Sequence, residues 1–221
     1  MNIVADILVS VVLLFIGFIG VYNYLNKKKW NTIDKNLLKM SRNKIIYLSI
    51  GFLISTILVV LFQVIYRQPF LTQIKLLILI NIIIPCAATD YRVHKIPNQF
   101  IVFALALRVV VFVAEIISSF SAGISTLIDS AIGAGIVAGF FFLILLIFKN
   151  SIGMGDVKLF AIMGLYQGLW GTVNSVFFSL LVSFLVAIFL LITKKKGRKD
   201  VISFGPSILL GTFIAIAISG M

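Results

Sequence analysis

With 221 residues, 61% of them hydrophobic and only 12% charged, the chain lacks the polar surface that a soluble globule of its size needs. Its apolar residues run unbroken over about the length that crosses a hydrocarbon core about 30 Å thick. Alternating segments of roughly ten residues, the mark of a closed barrel, are missing, so the fold class is all-α: a polytopic integral membrane helical bundle. The net charge of +12 comes with no folded basic module or stacking platform, which excludes nucleic acid as a partner.

In chain order the apolar runs predict helices near 3–24, 45–66, 70–88, 100–118, 123–148, 155–168, 171–193 and 202–220, about eight transmembrane helices in a single membrane domain over 1–221. No basic residue precedes the first run and Val21-Tyr22-Asn23-Tyr24 lacks the small residues of a cleavage site, so this run is read as a retained helix. Segment 25–44 follows, with Lys27, Lys28, Lys29, Lys35, Lys39, Arg42 and Lys44. Trp30, Ile33, Leu37 and Met40 fall there at helical spacing. It is either a short interfacial helix on anionic membrane lipid or a solvated basic loop that only sets orientation.

The run 155–168 is short for a crossing. A re-entrant hairpin there would place the basic loop 194–200 on the opposite side from 25–44, so it is read as a short or tilted span. Lys149 and Lys158, like Arg92 and Lys95, flank loops that alternate with nearly neutral turns. By the positive-inside rule both termini lie outside and the basic loops face the cytoplasm.

One cysteine and one histidine rule out an intrachain disulfide, a multi-cysteine zinc site and an HExxH helix. Cys86 reads as packing in an apolar helix, and His94, beside Lys95, as a solvated loop residue. Seven carboxylates remain as candidates: Asp6, Asp34, Asp90, Glu115, Asp129, Asp156 and Asp200. Acidic groups near or within spans are expensive and therefore functional candidates. Asp6, Glu115 and Asp129 fall toward outer helix ends, and Asp34 and Asp200 lie in basic loops. Asp90, after the third helix, and Asp156, at the start of the sixth, share one membrane level. Gly153 and Gly155 before Asp156 give backbone freedom and room for another chain; Pro97 can start the span after Asp90. On these grounds alone, capping or salt-bridging at helix ends explains both aspartates as well as catalysis does.

Three segments carry a resemblance. Asp90 to Asn98 (DYRVHKIPN), Gly153 to Leu159 (GMGDVKL) and Phe204 to Gly211 (FGPSILLG) resemble, in order, the signature segments of the type IV prepilin peptidase family, bacterial GxGD-type aspartyl membrane proteases. The resemblance covers about 70–220, the peptidase core. It implies that Asp90 and Asp156 are catalytic, one ionised to activate water and the other protonated to polarise the scissile carbonyl. It implies too that Gly153, Gly155, Pro97, Asn98, Gly205 and Pro206 bind substrate or support the site, with no metal and no cofactor. Lys158 holds substrate or lipid phosphate, or snorkels as an inside anchor. The implied partner is a pilin-like precursor with a basic leader and a hydrophobic helix, cut at the cytoplasmic face of the inner membrane. Many members carry a cysteine-bearing zinc domain, associated with methylation of the new N-terminus, between their first two spans. Here that interval is Leu25 to Lys44 without cysteine, which resembles a short, peptidase-only form. The alternatives are another GxGD protease, acting on signal-peptide remnants, and a non-catalytic scaffold or transporter. No internal repeat favours a transporter.

Overall fold

The computed structural model describes residues 3–26, 42–148, 153–194 and 202–219. These form α1 (Ile3–Leu25), α2 (Arg42–Val60) with a π-helical extension (Leu61–Tyr66), α3 (Phe70–Val93), α4 (Asn98–Ser118), α5 (Phe120–Ile147), α6 (Met154–Ile192) and α7 (Gly205–Ser219). No strand occurs among the described residues. The expected interfacial helix or loop over 25–44, and the basic stretch 195–200, lie mostly outside them. Five segments are long and apolar enough to cross a membrane: Asp6–Leu25, α3, α4, α5 and α6. Large apolar side chains such as Val109, Ile117, Ile147 and Phe184 stand exposed. Water would penalise that surface, whereas hydrocarbon matches it and helices satisfy their own backbone amides. The protein is an integral membrane protein.

The central post is α3. Every residue from Leu76 to Ala87 is buried, as befits a helix apolar on all sides, and α1, α2, α4, α6 and α7 all touch it. Its proline, Pro85, seats its ring against Gly17 of α1, and the buried Asn81 accepts a hydrogen bond from Ser55 of α2 at 3.2 Å. The helix expected over 70–88 in fact runs on to Val93. The His94 N–H bonds the Asp90 carbonyl at 2.9 Å, and His94 then stops the helix in a left-handed conformation, φ 50° and ψ 41°. Asp90 therefore stands in the last turn of α3, not in the loop after it.

Two spans were expected over 155–168 and 171–193. Both helices are present, as the two arms of α6, 39 residues in all. Gly168 breaks the helix with φ 69° and ψ −169°, a region open in practice to glycine alone. Asp129 of α5 accepts the Leu169 N–H at 3.3 Å and so caps the arm beyond the break. The arm before it supplies Leu159, Phe160, Met163 and Tyr166 to the core, while the arm after it exposes Phe177, Phe184 and Phe189. The short segment is thus an interior element.

Two basic residues that the sequence reading passed over, Arg108 and Lys75, gather on Glu115. Arg108 of α4, 4% exposed, donates to Glu115 at 2.8 Å, to Ser130 of α5 at 3.2 Å and to the Leu165 carbonyl of α6 at 2.6 Å. Lys75 of α3 lies 3.6 Å from Glu115. Tyr166 adds a bond to the Ala104 carbonyl at 2.8 Å. Low dielectric makes such contacts strong and their half-removal expensive, about 3–5 kcal/mol.

The break generates the first prediction. A Cβ on Gly168 would fall 1.7 Å from Asp129 Oδ2, so Gly168→Ala should cost at least about 1–3 kcal/mol. Asp129→Asn keeps a side-chain acceptor and should stay near wild type. Unfolding midpoints in detergent check both.

Candidate active site

Asp90 and Asp156 reach one cavity from opposite kinds of helix end. Asp90 leaves the C-terminal turn of α3 and is 8% exposed; Asp156 leaves the first turn of α6 and is half-buried. The cavity measures about 480 Å³. Its walls are Tyr24 from α1, His94, Lys95, Ile96 and Pro97 from the α3–α4 connection, Asn98 and Gln99 from α4, and Gly153, Met154 and Gly155 beside Asp156.

A main-chain donor holds Asp90. The Gly205 N–H at the start of α7 bonds its Oδ2 at 2.7 Å, across 115 positions of sequence. That approach requires glycine: a Cβ on residue 205 would lie 2.8 Å from Asp90 Cβ and 3.0 Å from the Ala87 Cα. Aromatic packing brings Gly205 there. Phe160 of α6 stacks on Phe141 of α5 at 4.3 Å and meets Phe204 edge-on at 5.9 Å, contacts worth about 0.5–1.5 kcal/mol each beyond their burial.

Asp156 is placed by its own turn. Gly153 caps α6 in an extended conformation, and its carbonyl accepts the Asp156 N–H at 3.0 Å. A Cβ on Gly153 would meet Asp156 Oδ2 at 3.1 Å. Gly155 packs on Ile96, which seats the start of α6 against the α3–α4 connection. Lys158 Nζ donates to Asn98 Oδ1 at 2.9 Å and joins α6 to α4 at the cavity's edge.

Of the residues singled out from sequence, Asp90, Asp156, Gly153, Gly155, Pro97 and Asn98 line the cavity. Gly205 and Lys158 act on it through Asp90 and Asn98. Pro206 sits in the first turn of α7 and is not among the lining residues. His94, expected as a solvated loop residue, is exposed and also lines the cavity. Tyr24, Met154 and Gln99 escaped the sequence reading. Tyr24 closes a helix in the same half of the membrane as Asp90, but nothing in its neighbours marks it as facing inward. Cys86, one turn before Asp90, is fully buried in the core. Among the described residues no three His, Cys, Asp or Glu side chains gather as a metal site.

This site falls where a family model also finds its match. A model described as the type IV leader peptidase family covers residues 77–192, more than half of the chain. The chain belongs to the type IV leader peptidase family. Over 140 residues it is 29% identical to a prepilin leader peptidase/N-methyltransferase of Bacillus subtilis, with 62% of this chain and 53% of that protein aligned. The chain thus spans about half the length of that relative. No solved structure matches. Family membership extends the resemblance of the three motifs, and the third of them, around Gly205, lies beyond the matched residues yet touches Asp90.

Cavity and core make different claims on chemical access. Tyr24→Cys in a Cys86→Ser background should react with a water-soluble maleimide in the folded protein, whereas Cys86 of the wild type should stay unmodified until the protein is unfolded. Mass spectrometry reads both.

Proposed function

We propose that this leader peptidase is an aspartyl endopeptidase that removes the leader of type IV prepilin or pilin-like precursors through a water activated by Asp90 and Asp156. The observation that carries this reading is the meeting of the two carboxylates in one cavity, from segments 66 residues apart by their numbers (156 − 90). Two carboxylates facing one cavity share their charge state, because ionising one opposes ionising the other. One then stays ionised and draws a proton from water, and the other stays protonated and donates to the scissile carbonyl. The first turn of α6 lines the cavity and brings to it the partial positive charge of a helix N-terminus, which favours a developing oxyanion.

Access and depth fit a cut at the edge of the bilayer. The cavity lies at helix ends: the last turn of α1 and α3 and the first turn of α4 and α6. Lys95 lines it and Lys158 reaches it through Asn98, and the alternation of charge along the sequence assigns the lysine-rich stretches 27–29 and 194–196 to the same side. The positive-inside rule makes that side cytoplasmic, in the inner or plasma membrane, with both termini outside. The substrate is a precursor whose hydrophobic helix lies in the bilayer and whose basic leader lies in the cytoplasm, so that the bond between them reaches the cavity. Membrane lipid is the surrounding solvent for both.

Co-expression with a candidate prepilin tests the reading, with precursor and mature bands resolved on a gel. Asp90→Asn and Asp156→Asn should each abolish processing. The double variant should be no worse than either, since residues that act as a unit are not additive. Asp129→Asn, at the far end of the bundle, should still process the precursor. Full processing by Asp90→Asn would overturn the two-aspartate assignment.

Geometry around Asp90 adds a further expectation. Gly205→Ala pushes on the Asp90 side chain and its helix, and a displacement on the order of 1 Å costs about 100-fold in turnover. Processing by this variant should fall accordingly while the protein still inserts, as membrane fractionation would show.

A further inference from the structure

We propose that Asn98 is a substrate-binding residue whose side-chain amide donates to a main-chain carbonyl of the substrate, and that Lys158 is the positioning residue that sets the direction of that amide. The proposal rests on the peptidase reading above and adds to it the contact that holds the substrate chain. Lys158 Nζ donates to Asn98 Oδ1 at 2.9 Å. An ammonium has donors only, so the amide oxygen must face Lys158 and the NH2 group must face away from it. Asn98 lines the cavity, and no hydrogen bond among the described residues engages its Nδ2. Asn98 is exposed, so its NH2 group is open to a ligand that enters the cavity.

Lys158 stands where it can do this from behind. It follows Asp156 by two positions on α6, and two residues turn a helix by about 200°. Asp156 and Lys158 thus leave α6 on different sides. Asp156 lines the cavity, whereas Lys158 is not a lining residue and reaches the cavity only through Asn98. Pro97 fixes the entry of α4 in an extended conformation, φ −66° and ψ 132°, which sets the Asn98 backbone before its side chain is oriented.

Substrate chemistry supplies the need for such a donor. A bond at the end of a hydrophobic helix becomes accessible only once the helix around it opens, and opening frees carbonyls and N–H groups that need new partners. A side-chain NH2 beside the two carboxylates can take one of those carbonyls whatever the side chains of the substrate are. A strut between α4 and α6 is the competing role, and it asks only that the two side chains stay bonded.

Asn98→Asp separates the two roles, because aspartate keeps and strengthens the bond to Lys158 but has no N–H to give. Cleavage kinetics of a detergent-solubilised precursor and the melting midpoint of the enzyme are measured together for the wild type, Asn98→Asp, Lys158→Met and Lys158→Arg. Asn98→Asp should raise KM roughly 10-fold, the weight of one lost hydrogen bond, with no fall in midpoint; because its added carboxylate also acts on the two aspartates, kcat is compared at each protein's own pH optimum, where it should change little. Lys158→Met frees the amide to turn and should raise KM by a smaller factor, part of which Lys158→Arg recovers. An unchanged KM in Asn98→Asp overturns the proposal in favour of the strut. Binding of the same precursor to Asp156→Asn protein, with and without Asn98→Asp, reads the contact without turnover. Binding without cleavage by the wild type would defeat the peptidase reading alone, and equal binding by the two Asp156→Asn proteins would defeat the Asn98 contact alone. Absence of binding would defeat both.

Discussion

The site depends on one short hydrogen bond, from the Gly205 N–H to Asp90 Oδ2 at 2.7 Å. Asp90 sits at the end of a helix wrapped on all sides, so its backbone is fixed by the packing of α3, but a carboxylate in a cavity needs a second restraint to hold one rotamer. A main-chain donor supplies it without adding a titratable group. Everything that lets α7 begin at that place serves this bond: the missing Cβ at residue 205, the Phe141–Phe160–Phe204 stack and the close pairing of α7 with α6, where a Cβ on Gly211 would lie 2.2 Å from the Ser179 nitrogen. The two aspartates are thus served by different devices. Asp156 is set by the turn it belongs to, and Asp90 by a segment over a hundred residues away.

Much of this was legible in the sequence because bilayers impose few solutions. Long apolar runs marked α3, α4, α5 and the outer arm of α6, and charge at their ends marked the loops. The motif residues Asp90, Gly153, Gly155, Asp156 and Asn98 all line one cavity. Helix ends were less legible. Tyr91-Arg92-Val93 reads as a polar exit from the membrane, yet the backbone continues helically until His94 can adopt a positive φ. The polar residues extend the helix past the apolar run, and hydropathy has no view of that.

Long-range pairings were the least legible. Arg108 and Glu115 stand seven positions apart on α4 and could have been read as two turns on one face, but their third and fourth partners, Lys75 and Ser130, come from helices whose neighbours only packing decides. Asp129 gave no sign of capping a helix on another segment. Tyr24 is similar: its place at the cavity follows from α1 lying along α3, with Gly17 against Pro85, and no local pattern reveals such a neighbour.

That position of Tyr24 separates the site into parts with different genetic addresses. The two carboxylates, with Gly153 and Gly155, lie within residues 77–192, the stretch that matches the family, whereas one wall of the cavity is carried by a helix well before it. A change in α1 can reshape that wall and leave the two carboxylates, the Gly205 donor and their helices as they are. Recombination or drift in the first helix is therefore a route by which the shape of the cavity can diverge while the two carboxylates and the helices that carry them are inherited unaltered.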